Sequence, residues 1–224
     1  TTRRTGGQGG NYPRFLLGVG RASDALGLAE RRSPVALYPQ VGRANALFAA
    51  GRIDEADRAT AELIRLWPQN YLAWFTRIYF LMYTGRAEEA AEMAADRSGW
   101  PLDIPPAELE LTGQMARAIA SRDPSQADAV IRRYGELATK GQGYMQNGLR
   151  VSAALGRPDD AFRFAEMLFS TPIEKMPRER FVGQRNYATG NDRHTDLLFM
   201  PPVNRLHDDP RFLDLLSRMG MVDY

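Results

Sequence analysis

The 224-residue chain contains no cysteine, which excludes disulfide bonds, thiolate metal sites and a cysteine nucleophile while leaving the redox environment open. Histidine is scarce as well, with only His194 and His207. Neither sits in a His-Glu-x-x-His pattern, which would put two ligands on one helical face. The nearby Asp192, Asp196, Asp208 and Asp209 therefore read as surface and capping groups, and no metal or other cofactor is expected. An excess of one charge is missing too, since 29 basic side chains face 27 acidic ones for a net +2. Such a balance builds no surface for phosphate, and direct nucleic-acid contact is not expected. Long apolar runs are also absent. The longest, YLAWFTRIYFLMY from Tyr71 to Tyr83, carries Arg77 and is shorter than the roughly 20 residues that span a bilayer, so it reads as a buried helix and not a membrane insertion. The chain opens on TTRRTGGQGG, with neither an initiator Met nor an apolar signal core. It is expected to be a processed chain or a piece of a longer one, with any targeting segment upstream. A cytoplasmic location is the expectation unless such a segment directs export.

What is present is enough apolar material for a core, 44% of residues, distributed with a period. Positions 1–11 are Gly-rich and polar and read as a linker or frayed terminus. Thereafter Gly-Arg-x-x-x-Ala recurs as GRASDA at Gly20, GRIDEA at Gly51, GRAEEA at Gly85 and GRPDDA at Gly156. SRDPSQA, with Arg122 in the glycine's place, falls between the last two. The closing alanines, Ala25, Ala56, Ala90, Ala127 and Ala161, are 31, 34, 37 and 34 residues apart, and one more step from Gly156 reaches Gly190. A fixed period of this size marks a stacked array. Glycine ends one helix in a left-handed cap, and the following acids complement the dipole of the next. The alanine permits close helix crossing, and apolar residues then follow at helical spacing, as in Ala56, Ala59, Leu63, Ile64 and Leu66 before Pro68. Each unit reads as a helix hairpin. Asp54-Glu55, Glu88-Glu89 and Asp159-Asp160 recur in register, which assigns them to helix N-termini and not to paired-acid catalysis. GVGRAS at Gly18 lacks the third glycine, the lysine and the preceding strand of a phosphate loop, and reads as a helix turn.

The thirty-four-residue spacing, the small residues within the first helices (Ala44, Ile78), the turn glycines (Gly51, Gly85), the alanines of the second helices (Ala56, Ala90), Pro68 and Trp74 together resemble the tetratricopeptide repeat. The resemblance is close over 37–104, looser over 105–173 and partial on either side. Thr60 and Ala94 depart from the large aromatic common in that family, and Gly148 from a leucine. The ending PPVNRLHDDPRFLDLLSRMGMVDY is similar to the endings of bacterial regulators in which such an array follows a winged-helix or nucleotide-cyclase domain. It also reads as a cap: Asp208 or Asp209 begins a helix with Pro210 in its first turn. Phe212, Leu215, Leu216 and Met219 would then cover the end of the stack, with an Asp214–Arg218 pair beside them.

The resemblance implies an all-α, right-handed α-solenoid of about five hairpins over 12–199, closed by a capping segment and helix at 200–224. It further implies a concave groove lined by the first helix of each pair, with Val41, Asn45, Phe48, Phe75, Tyr79, Met82, Gln146 and Arg150 facing a protein or peptide ligand. Of these, Phe75 and Met82 are as well suited to the core between units, and Tyr79, Asn45 and Arg150 are the stronger groove residues. Only Asn45 fits the basic clamp that grips a C-terminal carboxylate in one sub-class, so that mode is rejected. No catalytic residue is expected. The function expected is recognition, as the interaction or sensory region of a regulator. The alternatives are self-association into an oligomer, or a hydrolytic site near residues 192–196.

Overall fold

The computed structural model describes residues 12–30, 36–184 and 194–222. The expected linker at 1–11, Gly190 and Asp192 lie outside them. Among the described residues every regular element is helical. Five consecutive pairs are formed by α1 (Tyr12–Gly18) and α2 (Ala22–Ala29), α3 (Leu37–Ala49) and α4 (Ile53–Leu66), α5 (Tyr71–Tyr83) and α6 (Ala87–Ala95), α7 (Pro106–Ser121) and α8 (Pro124–Leu137), and α9 (Gln142–Ala154) and α10 (Pro158–Phe169). Two 3₁₀ segments, Thr195–Phe199 and Pro201–Leu206, precede α11 (Pro210–Arg218).

The recurring motif falls at the turn within each pair. Gly20, Gly51, Gly85 and Gly156 all have positive φ, between 70° and 83°, the left-handed conformation that glycine adopts without strain. Arg122 takes the same conformation at φ 53°, although a side chain makes it unfavourable. Its neighbour compensates: the Asp123 carboxylate accepts from the Ser125 amide at 2.8 Å, and Pro124 occupies the first turn of α8.

The motif arginine has a role that the helix dipole alone did not foretell. It reaches three residues forward to a carboxylate in four turns, as Arg21–Asp24, Arg52–Glu55 and Arg86–Glu89 at 2.6 Å and Arg157–Asp160 at 3.2 Å. In three of them it also reaches back to the preceding pair, to Glu30 at 3.4 Å, Asp57 at 2.7 Å and Asp128 at 2.6 Å. Asp57 and Asp128 each follow a motif alanine, 29 residues before the arginine they meet.

The departures from the repeat pattern have physical reasons. Thr60 is buried and its hydroxyl accepts from Arg77 at 2.9 Å, while Arg77 also meets the Asp57 carboxylate at 2.5 Å. A largely buried guanidinium is thereby paired at a position where the repeat family often has an aromatic ring, which accounts for a charge inside the most apolar helix. Gly148 lies under the Phe164 ring of α10, where an added Cβ would come within 2.5 Å of the ring. A leucine has no room there.

Each helix from α1 to α10 packs on its neighbours in sequence, and the odd-numbered helices also touch one another in order, α1 on α3, α3 on α5, α5 on α7 and α7 on α9. One continuous core runs through them, from Leu16 to Leu215. The tail does more than cover an end. Thr195–Phe199 lies against α1 and Pro201–Leu206 against α9, so this segment touches both the first and the last pair. Helix α11 starts as expected at Asp209 and Pro210, with the Asp209 side chain accepting from the Arg211 amide. Its Phe212 and Leu215 are buried, and Leu216 and Met219 half-buried. Arg218 pairs with Glu166 of α10, not with Asp214 as expected, and Arg211 lies 4.3 Å over Phe162 while meeting Asp159 at 2.8 Å. Among the described residues no helix is long and apolar enough to cross a membrane.

Candidate functional site on the odd-helix face

The helices that touch in order carry the eight residues expected to face a ligand, and the structure divides these into two groups. On α3, Val41 and Asn45 remain half exposed. Phe48, Phe75 and Met82 are buried: Phe48 of α3 meets Phe80 of α5 edge-on at 5.5 Å, and Phe75 lies beside Trp74 at 5.1 Å and Tyr79 at 5.4 Å on its own helix. Apolar side chains on a helix touched from two sides have no reason to stay in water.

Tyr79, Gln146 and Arg150 come together across the gap between α5 and α9. The Tyr79 hydroxyl donates to Asn147 Oδ1 at 2.7 Å, and the Arg150 guanidinium lies 4.8 Å above the Tyr79 ring. Gln146 is buried alongside. The groove read from the repeat is thus not open at this place.

The same side of the array, at α5 and α9, is occupied by the chain itself. After α10, residues 176–184 form a non-helical strap across α5 and α9. The amides of Gln142 and Gly143, which open α9 and have no partner within the helix, donate to the carbonyls of Glu179 at 2.9 Å and Arg180 at 2.8 Å. The Gln142 side chain donates to the Pro177 carbonyl at 2.9 Å. Phe181 is fully buried, 5.6 Å from Phe75 and 5.3 Å from Tyr144. Arg180 lies over Phe75 at 4.5 Å and over Phe181 at 5.0 Å. The seat requires glycine at its entrance, because a Cβ on Gly143 would come within 2.8 Å of the Arg180 carbonyl and 2.5 Å of the Phe181 ring.

Beneath the strap lies an acid–phenol pair. The Tyr144 hydroxyl donates to the buried Glu108 carboxylate and accepts from the Val182 amide at 3.2 Å. Burial pushes the Glu108 carboxyl up to about 7, only partly offset by the Tyr144 hydrogen bond and the Arg133 and Arg180 charges. Burial and the Glu108 charge likewise push the Tyr144 phenol up. The pair floors a cleft of about 540 Å³ between α7 and α8, whose walls include Arg132, Arg133, Lys140 and Val182. One hydroxyl thus couples a buried carboxyl to the strap backbone.

Glu108, Tyr144, Asn147, Arg180 and Phe181 were not singled out by sequence. Nothing in their spacing repeats. The one available signal was the pair Gly141 and Gly143 around a helix start, which α3, α5 and α7 lack at theirs.

Of residues 192–196, named for the hydrolytic alternative, the structure describes 194–196. Asp196 meets Arg14 of α1 at 3.5 Å, and His207 approaches the Leu198 carbonyl through Nε2 at 2.8 Å while packing on Phe212 at 4.4 Å. These are contacts that hold the tail. Among the described residues no three His, Cys, Asp or Glu side chains gather as a metal site. Comparison with family models, with curated proteins and with solved structures finds no match to this chain.

Proposed function

We propose that the chain is a non-catalytic scaffold of the tetratricopeptide type, a right-handed α-solenoid that recognises a protein or peptide along the face of its odd-numbered helices. The observation that carries this reading is the strap: that face already holds a stretch of non-helical polypeptide through main-chain hydrogen bonds and a buried aromatic side chain. A surface whose helix-opening amides bind a main chain, with a ring-sized seat and arginine beside it, has the elements of peptide recognition. Supporting it are the repeated left-handed turns and the arginines that tie one pair to the next. The half-exposed Val41 and Asn45 extend the same face toward the first pairs.

The test is a random-peptide selection on the intact chain. Enriched peptides are expected to lose at least tenfold in affinity on Asn45→Ala or Arg150→Ala with unchanged circular dichroism. Failure to enrich any sequence, or indifference of every enriched sequence to both changes, overturns the reading. From the likeness of the tail to those of bacterial regulators, the scaffold is further proposed to serve as the interaction or sensory region of such a regulator. A coding sequence upstream that specifies a winged-helix or cyclase domain is expected, and one that specifies only a signal peptide removes this part.

A further inference from the structure

Residues 176–184 make three kinds of contact that together describe a ligand. The backbone is read by the first two amides of α9, an aromatic ring is buried between Phe75 and Tyr144, and a guanidinium is stacked on Phe75. Much of the strap is nonetheless exposed. Arg178, Glu179, Val182 and Gly183 face solvent, and Arg180 is only half-buried. The grip rests on buried Phe181 and Met176, the Arg180 guanidinium over Phe75, the two main-chain bonds, and the hydrogen bonds of Gln142 to the Pro177 carbonyl and of the Val182 amide to Tyr144. A non-helical segment with most of its residues exposed has features of the low-stability end of a fold, although its one fully buried ring opposes its release.

We infer that the strap is a built-in competitor for a peptide-binding seat. The seat lies between α5 and α9 and takes a non-helical segment in which arginine precedes an aromatic residue. The inference rests on the scaffold reading and specifies its partner. The strap being part of the chain, its local concentration at the seat is on the order of millimolar, so a free peptide making the same contacts competes poorly. A partner gains the seat by making further contacts on the same face, where Val41 and Asn45 stand half exposed. Departure of the strap removes the Val182 donor from Tyr144 and opens one wall of the α7–α8 cleft, so occupancy of the seat by a partner changes a second surface.

The probe is a fluorescent peptide of the chain's own residues 176–184, MPRERFVGQ, followed by anisotropy, with a scrambled peptide as control. The intact chain is expected to bind it weakly. Arg180→Ala, which loosens the strap without emptying the core, is expected to tighten binding at least threefold, and Arg180→Ala with Phe181→Ala at least tenfold. Phe75→Ala in the loosened chain is expected to abolish the gain. A loosened chain with native circular dichroism that binds the probe no better than the intact one overturns the inference. If the double variant does not fold, native-state hydrogen exchange on the intact chain decides: the Val182, Gln142 and Gly143 amides are expected to exchange through an opening that leaves α7 and α10 protected. Exchange of these amides only with global unfolding overturns it. A dimer by light scattering that Arg180→Ala dissociates would show the strap seated in a second copy and overturn the assignment to a separate peptide. Peptides from the selection that bind through Asn45 while the strap stays shut would remove this inference and leave the scaffold reading standing.

Discussion

At the α3 end of the odd-helix face Val41 and Asn45 stand half exposed, whereas at α5 and α9 the face is closed by the chain's own Arg180 and Phe181. The two regions carry the same sequence motif, with the same left-handed turns and the same arginine bridges. The difference lies in a segment outside the Gly-Arg-x-x-x-Ala motif, which covers the odd-numbered helices at one place and leaves them half exposed at the other.

The comparison breaks most readily at Phe181. Phe181→Ala removes a fully buried ring and is expected to cost about 4 kcal/mol of stability, measured by urea unfolding. Asn45→Ala on the open part of the face should leave the midpoint unchanged. A cost at Phe181 as small as that at Asn45 would mean that the strap is not packed.

Glu108 gives the next effect. Its carboxyl titrates at about 7 in the folded chain against an ordinary 4.5, so the folded state holds the proton more tightly than the unfolded one. The stabilisation is present below pH 4.5 and is lost as the pH rises through 7. Its full extent is about 3 kcal/mol at 1.36 kcal/mol per unit. Unfolding free energies measured across that window should fall with rising pH, and Glu108→Gln should flatten the fall. A slope unchanged by the substitution would place the titration elsewhere.

Two equivalent positions sharpen the comparison between units. Asp57 and Asp128 occupy the same place after a motif alanine, yet Asp57 serves the largely buried Arg77 as well as Arg86, whereas Asp128 meets only the more exposed Arg157. Against the desolvation that would raise it, hydrogen bonds from Arg77 and Arg86 hold the Asp57 carboxyl below its ordinary value. Asp57→Ala is expected to cost about 2 kcal/mol, because the largely buried Arg77 guanidinium loses its carboxylate. Asp128→Ala should cost no more than about 0.5 kcal/mol, since an exposed pair contributes little. Equal losses in thermal melts would show that burial of Arg77 is not what separates the two.

Much of the helical framework was legible in the sequence because it repeats. Gly51, Gly85 and Gly156, Arg122 in the glycine's place, and the start of α11 at Asp209 and Pro210 were read from local chemistry, which acts within a few residues of its cause. The site was less legible. The meeting of Tyr79 with Asn147 spans 68 residues and that of Phe75 with Phe181 spans 106, and the strap has no counterpart elsewhere in the chain to give it a pattern. The Asp214–Arg218 expectation failed for the same reason, since Glu166 of α10 lies within reach of Arg218 through folding and not through sequence.

The segment Thr195–Leu206 rests on both α1 and α9, and this has a bearing on how the chain comes apart. A row of units with free ends loses them first and melts in stages. With both ends held by one segment, neither terminal pair can fray alone, and denaturation should be a single cooperative event. Trp67, Trp74 and Trp100 all lie between α4 and α7, so their fluorescence monitors the middle of the chain, while circular dichroism monitors every helix. The two signals should trace one superimposable curve.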